Sequence, residues 1–238
     1  MLDIASQKAV GASYGHPLIF LFLGGFLIAS AMQRWGLHKR IALRIVKLVG
    51  IGPDGIIAGF MLATAFLSMW ISNTATTVMM FAVAISMVEF ISGHMGDREM
   101  ARRFGVALLL GVAYSASIGG VATLIGTPPN TLLASFLMDT YQISIDFGTW
   151  MLIGLPLVLI MLPITWFLLC KLVFPIRGVD LTKAAHLIDK ELDELGEMSK
   201  GEKIVLVVFL ITAFMWIFRK VIVGATGLPI TDTSIALL

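Results

Sequence analysis

The chain has little charge, a single cysteine and no alternating strand pattern. Only 13% of its 238 residues are Asp, Glu, Lys or Arg, while 58% are hydrophobic. Soluble domains usually contain about 25% charged residues. Cys170 is the only cysteine, which excludes an intrachain disulfide. The alternating segments of about ten residues that build membrane β-barrels are also missing. Several apolar segments reach the ~18 to 20 residues that a helix needs to cross a bilayer. The sequence therefore predicts an all-α, polytopic membrane protein.

The chain also lacks a large net charge, which is +2 at pH 7, and this predicts no nucleic-acid partner. Its basic residues instead indicate topology, because Lys and Arg are enriched in cytoplasmic loops. An apolar helix over residues 18–31 runs into a basic stretch that contains Leu37, Ile41, Ile45 and Leu48. Their spacing predicts an amphipathic helix lying in the cytoplasmic membrane interface.

Two long stretches contain no charged residue at all, and each is interrupted by polar residues. The first, 55–88, lies in an apolar block with basic residues on both sides, so the chain reverses within it, at Ser72-Asn73-Thr74. Two interpretations are open: a pair of short full spans joined by a surface turn, or a re-entrant helical hairpin (55–90) whose tip stays inside the membrane. The polar run 72–77 has neither a charge nor a Gly-Pro loop, which favours the hairpin.

The second uncharged stretch, 104–138, would be about 52 Å long as one helix, too long for a single crossing. Gly119-Gly120 and Gly126-Thr127-Pro128-Pro129-Asn130 interrupt it. We expect a broken helix: a half-helix over 104–118, an unwound loop over 119–129 and a second half-helix over 130–138. Breaks at membrane depth are typical of the substrate and ion site of a transporter.

The first break offers oxygen ligands without charge. Ser68 precedes Ser72 by one helical turn, so both hydroxyls and the Asn73 amide are expected within reach of one ion. Neutral oxygens suit a monovalent cation such as Na⁺ better than Zn²⁺ or a tight Ca²⁺ site. Ser72 and Asn73 are also good N-caps for a helix from about Thr74 to Val88.

The second break can serve a cation and an anion. Pro128 and Pro129 cannot donate a backbone N–H, which would free the carbonyls of Leu124 and Ile125. Thr127 is expected to cap the half-helix that follows, and a helix N-terminus attracts anions. Alone, a Ser-Asn-Thr run often only caps a helix and Pro-Pro-Asn often only kinks one; together they favour a site.

The missing charges also bear on the coupling ion. A proton-driven carrier usually needs an ionisable relay inside the membrane, and neither stretch has one, which favours Na⁺. Motifs of hydrolases and metalloproteases are absent too, so no enzyme is predicted.

The two breaks resemble the signature of the divalent-anion/sodium symporter (DASS) family, a Ser-Asn-Thr hairpin tip with a Gly-Ser/Thr-Pro-Pro-Asn loop in a broken helix. Residues 20–26 (FLFLGGF) and 36–41 (GLHKRI) are also similar to that family. The resemblance implies the first inverted repeat of an ion-transporter fold. It also implies elevator-like movement of a transport domain against a dimeric scaffold.

The resemblance further implies residue roles. A Na⁺ site would comprise the side chains of three residues and one backbone carbonyl: Ser68, Ser72, Asn73 and Gly126. The substrate carboxylate would face Ser72, Asn73, Thr74, Thr127 and Pro128. Na⁺ is the coupling ion, and no other cofactor is implied.

Family members are about twice as long and contain two inverted repeats, each with its own tip, so this chain is expected to be an N-terminal-half fragment. We expect four parts. Residues 1–48 hold a scaffold helix and the interfacial helix, and 49–138 hold half of the transport domain. Residues 139–222 hold scaffold helices with a cytoplasmic linker (178–203), and 223–238 begin a truncated second repeat.

The predicted function is Na⁺-coupled transport of C4-dicarboxylates such as succinate, malate and fumarate, or of related divalent anions including citrate. The protein is expected in the bilayer of the cell inner membrane, as a multi-pass homodimer when full length. One alternative is a related transporter of sulfate, arsenite or another anion, or a proton antiporter. A second is a non-transporting membrane scaffold subunit, in which Ser72, Asn73 and Pro128 would tolerate substitution.

Overall fold

The apolar runs of the sequence fold into helices that turn at polar or glycine-rich residues. A computed structural model describes residues 14–50, 52–94, 97–176 and 182–238, together with Ser6 and Gly11. The rest of the expected 1–48 scaffold segment and residues 178–181 of the expected linker lie outside the described residues. The described helices are α1 (Pro17–Arg34), α2 (Leu37–Val49), α3 (Pro53–Ser68), α4 (Asn73–His94), α5 (Arg98–Gly120), α6 (Pro128–Tyr141), α7 (Phe147–Phe167, continued by a π-helical turn Leu168–Val173), α8 (Thr182–Glu194), α9 (Lys200–Thr226) and α10 (Asp232–Leu237).

The all-α membrane fold is confirmed. In the described part of the chain five helices are long and apolar enough to cross a membrane, namely α1, α4, α5, α7 with its π turn, and α9, and no β-strand is present. With 16 residues, α3 is only about 24 Å long and therefore shorter than a ~30 Å hydrocarbon core.

α2 is amphipathic as expected, but its packing face differs from the expected one. Leu37, Leu43 and Val46 are buried, whereas Leu48 is 83% exposed. α2 packs along α3, and the buried side also carries Arg40, which reaches toward α9. The buried face of α2 therefore contains residues 37, 40, 43 and 46, because this side contacts α3 and α9. It replaces the expected face of residues 37, 41, 45 and 48.

Arg40 fastens α2 to the start of α9. Its Nε donates to Glu202 Oε1 at 2.7 Å, its Nη1 donates to the Gly196 carbonyl at 2.8 Å, and both charged side chains are buried. A more exposed pair, Lys39 and Glu191 at 2.7 Å, joins α2 to α8. The amphipathic segment within the expected linker is thus α8, and its charges meet those of α2.

The expected boundary between residues 222 and 223 falls inside α9, which continues to Thr226. Arg219 and Lys220 do not end this helix, because carboxylates neutralise them. Lys220 Nζ lies 3.0 Å from Asp146 Oδ2 and Arg219 Nε lies 2.9 Å from Asp232 Oδ1. After α9 the chain turns, and α10 packs against α1.

The centre of the fold is the contact between α3 and α5, the most extensive of any helix pair in the described chain. The two backbones touch where a Cβ on Gly119 would lie 2.2 Å from the Ala65 carbonyl oxygen. α4 packs on another side of α5. Hence the hairpin α3–α4 and the first half of the broken helix form one packed unit.

Candidate functional site

The hairpin tip lies between the end of α3 at Ser68 and the start of α4 at Asn73. Ser72 acts as the N-cap as expected, since its Oγ accepts a hydrogen bond from the Ala75 backbone N–H at 3.4 Å. α4 continues to His94, beyond the expected end near residue 88. Because α3 has already ended, Ser68 and Ser72 do not stack on one helix face, contrary to the expectation.

The broken helix is present, with a shorter unwound segment than expected. α5 extends through Gly120 and α6 begins at Pro128, which leaves 121–127 outside both helices instead of 119–129. Proline fits the first position of a helix, where no backbone N–H partner is needed. Thr127 occupies the N-cap position with extended backbone (φ −150°, ψ 143°), but its hydroxyl makes no capping bond. The carbonyls of Leu124 and Ile125 lie in the unwound segment and accept no hydrogen bond from any described residue.

Three oxygens converge beside the hairpin tip. Ser68 Oγ lies 2.7 Å from Asn73 Oδ1 and 2.7 Å from the Ala116 carbonyl oxygen of α5. A serine hydroxyl has one proton, so with the amide oriented as in the structure it can donate to only one of these two oxygens at a time. The arrangement is rich in lone pairs and poor in protons, as a cation requires.

Asn73 also touches the end of α5. A Cβ on Gly120 would lie 2.1 Å from Asn73 Oδ1, so only glycine leaves room for this amide. Gly126 packs on the same glycine, because a Cβ there would lie 2.4 Å from the Gly120 carbonyl oxygen. The structure thus brings Ser68 and Asn73 together with the segment that contains Gly126.

Asn130 closes the unwound segment and was not predicted as a site residue. Its Nδ2 donates to the carbonyls of Gly120 at 2.8 Å and of Thr123 at 2.7 Å, and the side chain is buried. Gly120 ends α5 and Thr123 is the third residue of the unwound segment 121–127, so a single amide in α6 ties the first part of that segment to the helix that follows it. The asparagine directly after Pro-Pro was the available signal in the sequence.

Burial differs among the predicted site residues. Ser68 and Gly126, assigned to Na⁺ alone, are buried. Ser72 and Asn73, assigned to both Na⁺ and the anion, are partly exposed, as is Thr127, and Thr74 and Pro128 are exposed. Two of the four expected cation ligands therefore lie inside the packed unit, and the residues expected to contact the anion lie at or near its surface.

Trp70 of the hairpin tip contacts α9 and the start of α7. Its ring packs edge-on against Phe209, with 4.9 Å between centroids. On its other side Trp70 stacks on Phe147 at 6.1 Å. Phe147 directly follows Asp146, which pairs with Lys220 near the end of α9. These contacts place the tip between the apolar part of α9 and its Lys220 end, and the re-entrant hairpin stays a prediction.

The candidate site offers dipoles and no ionised groups. The uncharged stretches 55–88 and 104–138 supply all of its residues, and the N-termini of α4 and α6 both begin at the site. No cluster of three or more His, Cys, Asp or Glu side chains suited to a metal ion occurs among the described residues. Hydroxyl, amide and carbonyl oxygens are thus the available cation ligands.

Residues 2–238 match the family described as the sodium:sulfate symporter transmembrane region. The chain belongs to this family. It is the DASS family that the two breaks resemble, so the prediction from the motifs is confirmed, as is a multi-pass membrane location.

Curated relatives in the family carry transporter names. The chain is 41% identical over 220 residues to the sodium-dependent dicarboxylate transporter SdcS of Staphylococcus saprophyticus. It is 39% identical to the protein of the same name from Staphylococcus aureus strain USA300. Each alignment covers 91% of this chain and 42% of the relative, so the chain spans less than half the length of these relatives. The relatives are transporters and not enzymes, in agreement with the prediction.

Proposed function

We propose that this chain is part of a Na⁺-coupled carrier of C4-dicarboxylates, such as succinate, malate and fumarate, in the inner membrane. The observation that carries the proposal is the group of the buried Ser68, the partly exposed Asn73 and the Ala116 carbonyl beside the unwound segment. The names of the staphylococcal relatives support the same cargo and the same ion.

The cation is proposed to bind among the neutral oxygens at the tip. Ser68 Oγ and Asn73 Oδ1 already lie at hydrogen-bonding distance with too few protons between them. The Gly126 carbonyl belongs to the adjoining turn, and Ser72 would join by turning its hydroxyl away from the Ala75 N–H. Four uncharged oxygens suit Na⁺, because Ca²⁺ sites normally include carboxylates.

The anion is proposed to bind at the partly exposed residues Ser72, Asn73, Thr74, Thr127 and Pro128. Two helices, α4 and α6, begin there, and the N-terminus of each carries roughly half a positive charge. Free backbone N–H groups at the start of α4 can hold a carboxylate without a basic side chain. Pro128 and Pro129 at the start of α6 have no N–H, so α6 would contribute through its helix dipole alone. A bound Na⁺ next to these helix ends would offset a second negative charge, which explains why cargo and ion would travel together.

We further propose an elevator-type movement in a homodimer. The unit formed by α3, α4 and α5 is tightly packed, and it carries the candidate residues of the hairpin tip as a moving transport domain would. The other candidate residues, Gly126, Thr127 and Pro128, lie in the adjoining unwound segment and at the start of α6. α1, α7 and α9 would belong to the scaffold. Cysteine cross-linking between α4 and α7 in the full-length dimer tests this movement. Cross-links that change when Na⁺ and succinate are added would support it.

Sulfate is a second candidate cargo, because the description of the matching family names it. Sulfate is also a divalent anion that helix N-termini hold. It differs from succinate in placing both charges on one centre, so competition between the two anions distinguishes the cargoes.

The decisive experiment is uptake of radiolabelled succinate by the full-length protein in proteoliposomes. We expect uptake driven by an inward Na⁺ gradient and abolished when K⁺ replaces Na⁺. Unlabelled malate and fumarate should compete better than sulfate. Absence of gradient-driven uptake of every dicarboxylate, citrate and sulfate would refute the carrier and favour a non-transporting membrane subunit.

The variant Asn73→Ala tests the site itself. It removes the amide that joins Ser68 to Gly120, so we expect loss of Na⁺-dependent uptake while the variant still elutes as a folded dimer in gel filtration. Kinetics equal to those of the wild type would exclude Asn73 from the site.

A further inference from the structure

Thr123 connects the hairpin tip to the unwound segment of the broken helix. We infer that its hydroxyl is a positioning group for the ion site, holding Gly126 in place against the tip, an inference that rests on the proposed Na⁺-coupled function. Thr123 was not among the predicted site residues, and it lies outside the Gly126–Asn130 motif.

The hydroxyl of Thr123 makes one bond to each side of the site. Its Oγ1 donates to the carbonyl of Met69, the first residue after α3. The same oxygen accepts a hydrogen bond from the backbone N–H of Gly126 at 3.1 Å. A hydroxyl offers one proton and two lone pairs, so its proton serves the hairpin and one lone pair serves the unwound turn.

Burial makes these bonds hard to replace. Thr123 is 0% exposed and Gly126 is buried as well. When one partner of a buried hydrogen bond is removed, the group left behind loses its partner without gaining water. Removing the hydroxyl therefore leaves the Gly126 N–H with only its longer bond, to the Thr123 carbonyl at 3.4 Å, and releases the turn from Met69.

Asn130 extends the connection to α6. Its Nδ2 binds the carbonyl of Thr123 itself at 2.7 Å, besides that of Gly120. A path of buried hydrogen bonds thus runs from Met69 through Thr123 to Asn130, one turn into the helix that starts at Pro128. This path fixes the position of the proposed cation ligands at the tip relative to the proposed anion contacts at the start of α6.

The test uses the full-length protein and three variants. Thr123→Val keeps the shape of the side chain and removes the hydroxyl, and Thr123→Ser keeps the hydroxyl. Thr64→Val is the matched control, because Thr64 is equally buried but its Oγ1 donates within α3, to the Phe60 carbonyl at 2.6 Å.

In proteoliposomes we expect Thr123→Val to raise the Na⁺ concentration for half-maximal succinate uptake about tenfold, which corresponds to ~1.4 kcal/mol. The KM for succinate at saturating Na⁺ should change less than about twofold, since saturating Na⁺ refills the ion site and the bonds from Asn130 to the Gly120 and Thr123 carbonyls, which hold the start of α6, do not need the hydroxyl. Thr123→Ser and Thr64→Val should both stay near the wild-type Na⁺ requirement. Equal effects of Thr123→Val and Thr64→Val would overturn the inference, because they would indicate a general loss of stability.

Hydrogen–deuterium exchange gives a second readout that does not need transport. In purified protein without substrate, the peptide containing Gly126 should exchange faster in Thr123→Val than in the wild type and in Thr64→Val. Unchanged exchange would show that the hydroxyl does not hold the turn, and would overturn the inference even if uptake is Na⁺-dependent. If instead the wild type carries no anion, the proposed function fails while exchange still decides whether Thr123 holds Gly126.

Discussion

Gly120 lies directly against the side chain of Asn73, so close that a Cβ on the glycine would fall 2.1 Å from the amide oxygen. Real Cβ atoms do not approach oxygen so closely, and both groups belong to packed helices. The end of α5 thus determines where the first residue of α4 can point its amide. A residue without a side chain is what places this amide beside Ser68.

Replacing Gly120 with alanine should therefore displace Asn73. We expect Gly120→Ala to reduce Na⁺-dependent succinate uptake at least about tenfold, and to abolish the stabilisation by Na⁺ in thermal unfolding. Gly93→Ala is the control, because a Cβ on Gly93 meets no atom within 4 Å. Normal Na⁺ dependence in Gly120→Ala would show that Asn73 does not need this position.

Ser68→Ala should weaken cation binding specifically. The change removes the oxygen that lies 2.7 Å from both Asn73 Oδ1 and the Ala116 carbonyl. We expect the half-saturating Na⁺ concentration to rise about tenfold or more, since a lost polar partner in a buried site costs about 1 to 3 kcal/mol. Titration of uptake against Na⁺ measures this, with the exposed Ser86→Ala as control; matching titrations for the two variants would count against the site.

Arg40→Ala should destabilise the protein without touching the site. It leaves the carboxylate of Glu202 buried without its partner, which typically costs about 3 kcal/mol or more. Thermal unfolding in detergent should show a clear loss. Lys39→Ala, which breaks the more exposed pair with Glu191, should have little effect. Similar losses of stability in Arg40→Ala and Lys39→Ala would contradict the prediction.

Replacing both partners of the buried pair, Arg40→Met with Glu202→Leu, should recover most of the stability that Arg40→Ala loses.

Asp146 and Asp232, which pair with Lys220 and Arg219 near the end of α9, should contribute to stability with different pH dependences. Burial tends to raise the pKa of Asp146, but hydrogen bonds from Thr149 and Lys220 outweigh it and hold the pKa below its usual value. Burial raises the pKa of Asp232 despite the nearby Arg219. A lowered pKa adds stability above the unfolded-state value and loses it as pH falls through the folded-state value, whereas a raised pKa does the reverse.

We therefore expect Asp146→Asn to lower the unfolding temperature at pH 7, and the difference from the wild type to shrink below about pH 4. Asp232→Asn should cost less at pH 7, because the neutral side chain is the form that burial favours. Thermal unfolding of both variants across this pH range checks the order. A larger loss for Asp232→Asn at neutral pH would contradict it.

The breaks in the helices could be predicted because they follow from length and charge. A stretch without charge that exceeds the membrane thickness has to be interrupted, and glycine, proline and small polar residues mark where. The second half-helix was predicted from residue 130, but α6 begins two residues earlier at Pro128, because a proline fits the first position of a helix. Gly119-Gly120 was misleading: the pair lies within α5 and allows close contact with Ala65 and Asn73.

The contacts that complete the site could not be read from the sequence, because they join distant residues. The Ala116 carbonyl accepts from a hydroxyl 48 positions earlier, and Thr123 reaches a carbonyl 54 positions earlier. Backbone carbonyls carry no residue-type signal, and a threonine in a membrane helix commonly bonds within its own helix, as Thr64 does. The packing of α3 on α5 had to be known before either contact could be seen.

The main chains of Ala65 and Gly119 touch with no side chain between them. Such a contact has no layer of flexible groups along which the two helices could slide, so a shift of one drags the other along. In the proposed elevator movement this block would therefore move as one rigid body, and the contacts that change would be those on its outer surfaces.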